Sequence, residues 1–130
     1  MEDRFRVRGW SIYDSGYYYD IQNMLFGEED NMTLLGAISK GLVNEIIPEQ
    51  CTGCRDYERK LIYTNDILKL NGVPNLYQCI FSTNRVGFDF KPLNTKYKWS
   101  DFFDHASDFI DHCKIVGNIH ENPELLEGNK

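Results

Sequence analysis

The hydrophobic and polar positions at the start of the chain predict a β-hairpin. From Arg4 to Gly9, arginines alternate with apolar or small residues, a period of two that is typical of a half-buried strand with one basic face. Asp14 to Gly16 has the composition of a turn, and the aromatic and β-branched run from Tyr17 to Ile21 favours a partner strand. We expect the arginines to pair with carboxylates at the surface, which stabilises a protein little.

Three consecutive tyrosines in this hairpin are candidate partner contacts. Successive residues of a strand point to opposite faces, so the three side chains cannot all enter one core. At least one should be exposed, at a protein-binding face or at an interface between two copies of the chain. These candidate residues are Tyr17, Tyr18 and Tyr19.

Short apolar segments predict further strands along the chain. Residues 32–43 are apolar but contain two glycines, and they fit a helix or a strand. A short strand is expected to end before Pro48, and residues 52–56 indicate a turn. An Asn-Gly pair at residues 71–72 is a strong hairpin signal. The later segments are 61–63, 67–70, 77–81, 86–90 and 114–119. Short strands at this spacing predict a small barrel or a compact curled sheet.

The period changes between Trp99 and Cys113, where the pattern predicts an amphipathic helix. Its polar side carries a stripe of aspartates at Asp101, Asp104, Asp108 and Asp111. Such a stripe can be a solvated helix face, or it can dock on a basic partner surface. With two histidines on the same helix it could also approach a divalent cation, although one straight helix cannot wrap an ion. After the last strand, Asn122 and Pro123 predict a terminal helical turn.

The composition excludes several classes of protein. The chain has 130 residues, with 20 acidic against 14 basic side chains and a net charge of −6. This charge argues against direct nucleic-acid binding and against docking on anionic membranes. No apolar run reaches the roughly 20 residues of a membrane helix, and the N-terminus does not resemble a signal peptide. We therefore expect a cytoplasmic protein.

The four cysteines allow three interpretations. Cys51 and Cys54 have C-x-x-C spacing, which occurs in zinc and redox sites, but zinc needs two further ligands and no second pair is present. A redox role would require a helix after the pair, and the pattern there indicates a turn. A reducing cytosol disfavours disulfides. The favoured interpretation is that Cys79 and Cys113 are small buried core residues.

Enzyme motifs are absent from the sequence. It contains no G-x-S-x-G, no P-loop, no G-x-G-x-x-G and no H-E-x-x-H. Cys113 follows His112 directly, but helical neighbours point about 100° apart and do not form a nucleophile–base pair. We therefore predict no enzymatic activity and no cofactor.

Two segments resemble the YopX protein family of phages and prophages. Gln50 to Leu68 resembles the family pattern Q-Y-T-G-L-K-D-x-x-G-x-x-I-Y-E-G-D-I-V, and Val116 to Leu126 resembles the family ending I-G-N-I-Y-E-N-P-E-L-L. Phe5 to Trp10 is a weaker match to the family opening. The matching positions include Thr52, Gly53, Asp56, Tyr63, Asp66, Gly117, Asn118, Asn122 and Pro123.

The resemblance implies structural roles for these matching residues and a particular fold. That fold is mainly β (α+β), with a β-rich N-terminal part over residues 1–48 and an SH3-like barrel with one amphipathic helix over residues 49–130. Arg59 and Asn65 stand where the family has glycine. Asn65 is compatible with a left-handed turn, whereas Arg59 argues against a glycine-dependent turn at its position. The family has Tyr and Leu in place of the C-x-x-C cysteines, which favours packing over metal binding.

Three hypotheses for function follow. The first is a phage or prophage accessory protein, a non-enzymatic binding module that forms a homo-oligomer. The second is an anti-defence or regulatory inhibitor that docks on a host protein through an acidic and aromatic surface. The third is a small metal- or nucleotide-binding enzyme. The resemblance supplies no catalytic mechanism, so the first is preferred.

Overall fold

The computed structural model describes residues 3–25, 33–70, 75–82, 87–93 and 113–127. The chain divides into two compact units, residues 1–53 and 54–130. The division lies inside a ten-residue strand, Ile46–Arg55, whereas the family resemblance implied a division after residue 48. The described residues form antiparallel sheets with one short α-helix, so the prediction of a mainly β fold is confirmed.

The first unit contains the predicted hairpin. Strand β1 (Val7–Ser11) lies between β2 (Gly16–Tyr18) and β3 (Ile46–Arg55) and pairs with both in antiparallel register. The second strand of the hairpin ends earlier than expected, because Asp20 has a left-handed backbone (φ 59°) and begins a helical turn. The ambiguous segment 32–43 contains a short helix, in which Thr33 Oγ1 accepts the Gly36 N–H at 3.0 Å as an N-cap. The elements are β1 (Val7–Ser11), β2 (Gly16–Tyr18), α1 (Leu34–Ser39), β3 (Ile46–Arg55) and the 3₁₀ turns Asp3–Phe5 and Ile21–Asn23.

Gly9 lets the sheet of the first unit pack closely on its core. A β-carbon at Gly9 would lie 2.6 Å from Ile46 Cγ2 and 3.1 Å from Ile21 Cδ1. Ile21 is fully buried, as is Ala37 of α1, and the turn that carries Ile21 contacts both α1 and β1. Any larger side chain at this position must therefore displace the core.

Strand β3 extends through a region where the sequence predicted a strand end and a turn. A short strand ending before Pro48 and a turn at residues 52–56 were expected, and both were wrong, since β3 continues from Ile46 to Arg55. The Ile12 N–H donates to Glu45 O, so Ile12 and Glu45 form a hydrogen-bonded pair. Hydrogen-bonded and non-hydrogen-bonded pairs alternate along antiparallel strands, and this pair therefore fixes the type of every other pair between β1 and β3. Pro48 lies opposite Gly9 at a non-hydrogen-bonded pair, so its missing N–H costs the β1–β3 ladder nothing.

The second unit has its own sheet and core. The elements are β4 (Leu61–Tyr63), β5 (Asp66–Leu70), β6 (Leu76–Ser82), β7 (Gly87–Pro92), β8 (Cys113–Asn118) and a 3₁₀ turn, Pro123–Glu127. The sheet has the strand order β7-β6-β5-β8, all antiparallel, and β4 is the neighbour of β3 in the other sheet. The buried core consists of Ile62, Leu68, Tyr77, Cys79 and Cys113. Most of these strands agree with prediction to within a residue or two, whereas an SH3-like barrel stays a prediction.

The predicted helix over residues 99–113 lies almost wholly outside the described residues. Its last position, Cys113, is an exception, and there the prediction was wrong. Cys113 is the first residue of β8 and pairs with Leu70 of β5.

Candidate functional site

The aromatic residues of the β1–β2 hairpin lie in register with β3. Trp10 is opposite Tyr17 of β2 on one side and opposite Ile47 of β3 on the other. The Trp10 and Tyr17 rings meet edge to face with 5.0 Å between centroids, and the Tyr17 and Tyr19 rings are 5.9 Å apart. These side chains share one face of the sheet. We call residues 10–19 the aromatic hairpin.

A buried ion pair lies beside these rings. Arg8 Nε donates to Glu49 Oε1 at 2.9 Å, and the two residues are only 4% and 1% exposed. The Tyr17 hydroxyl donates to the same oxygen at 2.9 Å. The Tyr17 ring also lies over the Arg8 guanidinium, with Cζ 4.1 Å from the ring centroid. Tyr17 is therefore fixed at both its ring and its hydroxyl, and the neighbouring rings pack on a side chain that cannot rotate freely.

Sequence reasoning missed this ion pair. Arg8 was expected at the surface and is instead buried, because the strand register places Glu49 directly opposite it. The two residues are 41 positions apart. The sequence showed only that Glu49 is acidic, and the strand with which its segment pairs was unknown. Arg6 does pair at the surface, with Asp3 at 3.0 Å and Asp20 at 3.5 Å.

Side-chain hydrogen bonds close the turn of the hairpin. The Tyr18 hydroxyl donates to Asp14 Oδ2, and the Asp14 N–H donates to Ser11 Oγ at 3.1 Å. The hydrogen bond to Asp14, followed by the charge of that carboxylate, raises the pKa of Tyr18 above its ordinary value. Asp14 thus orients the Tyr18 ring.

Large side chains remain exposed on this framework. Tyr13 in the turn is 89% exposed, Tyr19 is 53% and Tyr18 is 43%. Ile12, beside Tyr13, is 57% exposed. Of the three tyrosines singled out from the sequence, two are thus exposed and Tyr17 is half-buried.

A surface of this kind suits protein recognition. Tyrosine offers a large, stiff ring and a polar tip, and it is enriched where proteins bind one another. Rings that are already positioned lose less conformational entropy on binding than mobile ones do. The hydrogen bonds of Tyr17 and Tyr18 supply such positioning in the free protein.

Asp56, a family-motif residue, organises a loop in the second unit. Its Oδ1 accepts the Glu58 and Lys60 N–H groups, each at 2.9 Å, and its Oδ2 accepts the Ile115 N–H at 3.0 Å. The loop therefore covers part of the outer edge of β8, which would otherwise offer unpaired backbone groups. A hydrogen bond from Lys114 to Glu58 adds to this contact and raises the pKa of Lys114.

Two turn positions of the motif have left-handed backbones. Asn65 has φ 73°, as expected for a residue in place of glycine. Arg59 has φ 67°, so the expectation that its turn does not need a glycine conformation was wrong. The hydrogen bonds that the Glu58 and Lys60 N–H groups donate to Asp56 fix the chain on both sides of Arg59 and hold it there. Gly53 has φ 83° within β3, a conformation that glycine accommodates.

The corner between β4 and β5 depends on Asp66. This buried carboxylate accepts the Tyr63 N–H at 2.8 Å, and Tyr63 is itself buried. The Asn65 N–H between them donates to Cys79 O at 2.7 Å. Thr52, the remaining motif residue of this segment, is half-buried in β3.

The C-terminal motif forms a second set of side-chain-to-backbone bonds. Asn118 Oδ1 accepts the N–H groups of His120 at 3.1 Å and Glu121 at 2.9 Å. Asn122 Oδ1 accepts the Asn118 N–H at 3.2 Å, and a side chain at Gly117 would collide with Asn122. The predicted helical turn follows from Pro123 to Glu127 and is confirmed. Four motif residues, Asp56, Asp66, Asn118 and Asn122, thus accept backbone N–H groups with their side-chain oxygens.

The remaining candidate residues from the sequence either lie outside the described residues or form no site among them. The aspartates Asp101, Asp104, Asp108 and Asp111 lie outside the described residues. Cys51, Cys79 and Cys113 are fully buried, and all four cysteines are free of disulfides. Among the described residues, no three metal-binding side chains come together. Within those ranges, too, no helix has the length and hydrophobicity that crossing a membrane requires.

Comparison with known proteins identifies the family. The family profile for the YopX protein matches residues 6–127. No curated protein sequence is significantly similar to the chain. The crystal structure of protein EF1440 from Enterococcus faecalis is similar to this one, with a TM-score of 0.58 and 20% identity over 94% of this chain and 97% of that one. This likeness shows a shared fold, and the profile spans nearly the whole sequence. The chain therefore belongs to the YopX protein family.

Proposed function

We propose that this phage-type protein is a non-enzymatic interaction module that binds another protein through the aromatic hairpin. The observation that carries the proposal is the exposure of Tyr13, Tyr18 and Tyr19 on a hairpin in which hydrogen bonds hold the Tyr17 and Tyr18 side chains. Exposed rings contribute little to core packing, and on a fixed framework they suit a binding face. Asp56 and Asn118 in the second unit support the assignment of binding to the hairpin, because their side-chain oxygens already bond to backbone N–H groups.

The alternative function is an anti-defence or regulatory inhibitor that docks on a host protein through an acidic and aromatic surface. One observation favours it. Residues 1–53 contain nine acidic and four basic side chains, whereas residues 54–130 contain eleven and ten. Nearly all of the net charge of −6 therefore belongs to the unit that carries the tyrosines.

Self-association, cytoplasmic location in the host and an SH3-like barrel in the second unit complete the proposal. Four short antiparallel strands and a buried core support such a barrel. Light scattering tests self-association, and a Tyr19→Ala variant shows whether the hairpin forms the contact.

Photo-crosslinking in host cells tests the binding face. A photoreactive benzoylphenylalanine replaces Tyr13 in one variant and Tyr57 in its control, because Tyr57 is also exposed, at 56% against 89% for Tyr13, but belongs to the second unit. We expect a defined protein adduct from position 13 and none from position 57. The Tyr19→Ala variant should then bind the identified partner more weakly than the Tyr57→Ala variant does. Adducts from position 57 alone, or equal binding by the two alanine variants, would refute the proposed face.

A further inference from the structure

Two arginines described in the first unit, Arg6 and Arg8, are already ion-paired within it. Arg8 is buried against Glu49 at 2.9 Å, and Arg6 bonds to Asp3 and Asp20. The exposed charged side chains of the hairpin itself and of the segment opposite it, Asp14 and Glu45, are both acidic.

Two carboxylates flank the exposed rings at the tip of the hairpin. Asp14 follows Tyr13 and accepts the Tyr18 hydroxyl. Glu45 lies opposite Ile12, whose N–H donates to Glu45 O at 2.8 Å. Both carboxylate residues are exposed. The tip therefore combines aromatic surface with negative charge within a few residues.

This combination selects for cations, and guanidinium groups fit it best. A guanidinium can stack on a tyrosine ring and donate to a carboxylate at the same time. The protein contains this arrangement internally, since Arg8 lies 4.1 Å from the centre of the Tyr17 ring and bonds to Glu49. We infer that the hairpin tip, with Tyr13, Tyr18, Asp14 and Glu45, binds an arginine-rich segment of a partner protein.

The same charges disfavour the other occupants of this surface. A second copy of the chain would bring two first units together, each with an excess of five acidic residues. Nucleic acid would bring phosphates against the same carboxylates. A cationic protein segment gains from this field in both association rate and selectivity. The inference rests on the proposed function and names the chemical class of its partner.

A synthetic arginine- and glycine-containing peptide is the probe, and an otherwise identical peptide with glutamate for arginine is its control. Amide chemical shifts of the wild-type protein locate the peptide without any substitution. We expect the arginine peptide to shift resonances of residues 12–19 and 45, and the glutamate peptide to shift none. Raising the ionic strength from about 0.01 M to about 0.15 M shortens the screening length from about 30 Å to about 8 Å and should weaken binding.

Matched variants separate the tip from the overall charge of the protein. Glu45→Gln and Tyr13→Ala should each weaken peptide binding about two- to fivefold. Glu124→Gln removes an exposed charge in the second unit and should leave binding nearly unchanged. An equal loss in Glu45→Gln and Glu124→Gln, or resonance shifts spread over both units, would overturn the inference.

The inference and the proposed function can fail separately. If the cross-linked partner binds through the hairpin by neutral or acidic residues, or is a second copy of the chain, the cationic segment is refuted and the binding face stands. If position 13 gives no adduct while position 57 does, the proposed face itself is refuted.

Discussion

Neutralising Glu49 should destabilise the first unit more than any surface substitution. Glu49 and Arg8 are 1% and 4% exposed, so a Glu49→Gln variant leaves a guanidinium in the interior without a countercharge. Breaking a buried ion pair from one side costs about 3–5 kcal/mol. Arg8 and Tyr17 both donate to Glu49 Oε1, and a glutamine oxygen in its place can still accept these bonds, so we expect the lower end of this range, about 3 kcal/mol. That is a large share of the roughly 5–15 kcal/mol that stabilises a typical domain.

Urea unfolding followed by the fluorescence of Trp10 measures this loss, because its ring contacts Tyr17 at 5.0 Å between centroids. A Trp99→Phe background removes the second tryptophan. The Tyr17→Phe control removes one hydrogen bond to a charged group and keeps the ring over Arg8, so it should cost about 1.5–3 kcal/mol.

A double variant separates the charge from the packing. Arg8→Met with Glu49→Leu removes both charges, and it should be more stable than Glu49→Gln alone, since replacing a buried pair with apolar residues is often neutral. The reasoning is wrong if Glu49→Gln costs less than about 1 kcal/mol, or if the double variant is less stable than the single one.

Three further predictions concern the backbone and the turn. Arg59→Gly should raise the free energy of unfolding by about 1 kcal/mol in chemical denaturation, because it relieves a left-handed backbone; a loss of stability would contradict this. Gly9→Ala should cost about 1–3 kcal/mol, whereas Gly16→Ala, which meets only one atom, at 4.0 Å, should cost much less, and equal losses would refute the packing argument. The phenolate absorbance of Tyr18 should appear at lower pH in an Asp14→Asn variant, since the wild-type hydrogen bond persists at neutral pH and is lost only as the pH rises through the raised pKa. Identical titration curves for wild type and variant would exclude the bond.

The sequence predicted what depends on neighbours along the chain. Period-two alternation and a turn between two short runs gave the β1–β2 hairpin, and similar local signals gave β5, β6 and β8. Thr52 and Gly53 were predicted to form a turn but lie in β3. Glycine occurs both in turns and in distorted strands, and only the pairing of the strand distinguishes the two.

Arg59 shows a different limit of sequence reasoning. Arginine has no preference for the left-handed region, so its propensity argued against the conformation that it adopts. The Asp56 carboxylate, bound to backbone groups on both sides of Arg59 and to β8, overrides that propensity. The Ile115 contact is 59 residues away in sequence and could not be read from the local pattern.

The candidate site was only half predictable, and the reason bears on its function. Exposure of some tyrosines followed from strand alternation, but the rigidity of the hairpin comes from Glu49 on a distant strand. A hydroxyl bound to a buried carboxylate cannot be donated to a partner, so Tyr17 acts as a support. Tyr13 and Tyr19 leave most of their surface in water, at 89% and 53% exposure. The recognition chemistry therefore lies with the residues that contribute least to the core, and substituting Tyr13 should change binding while leaving the unfolding curve in place.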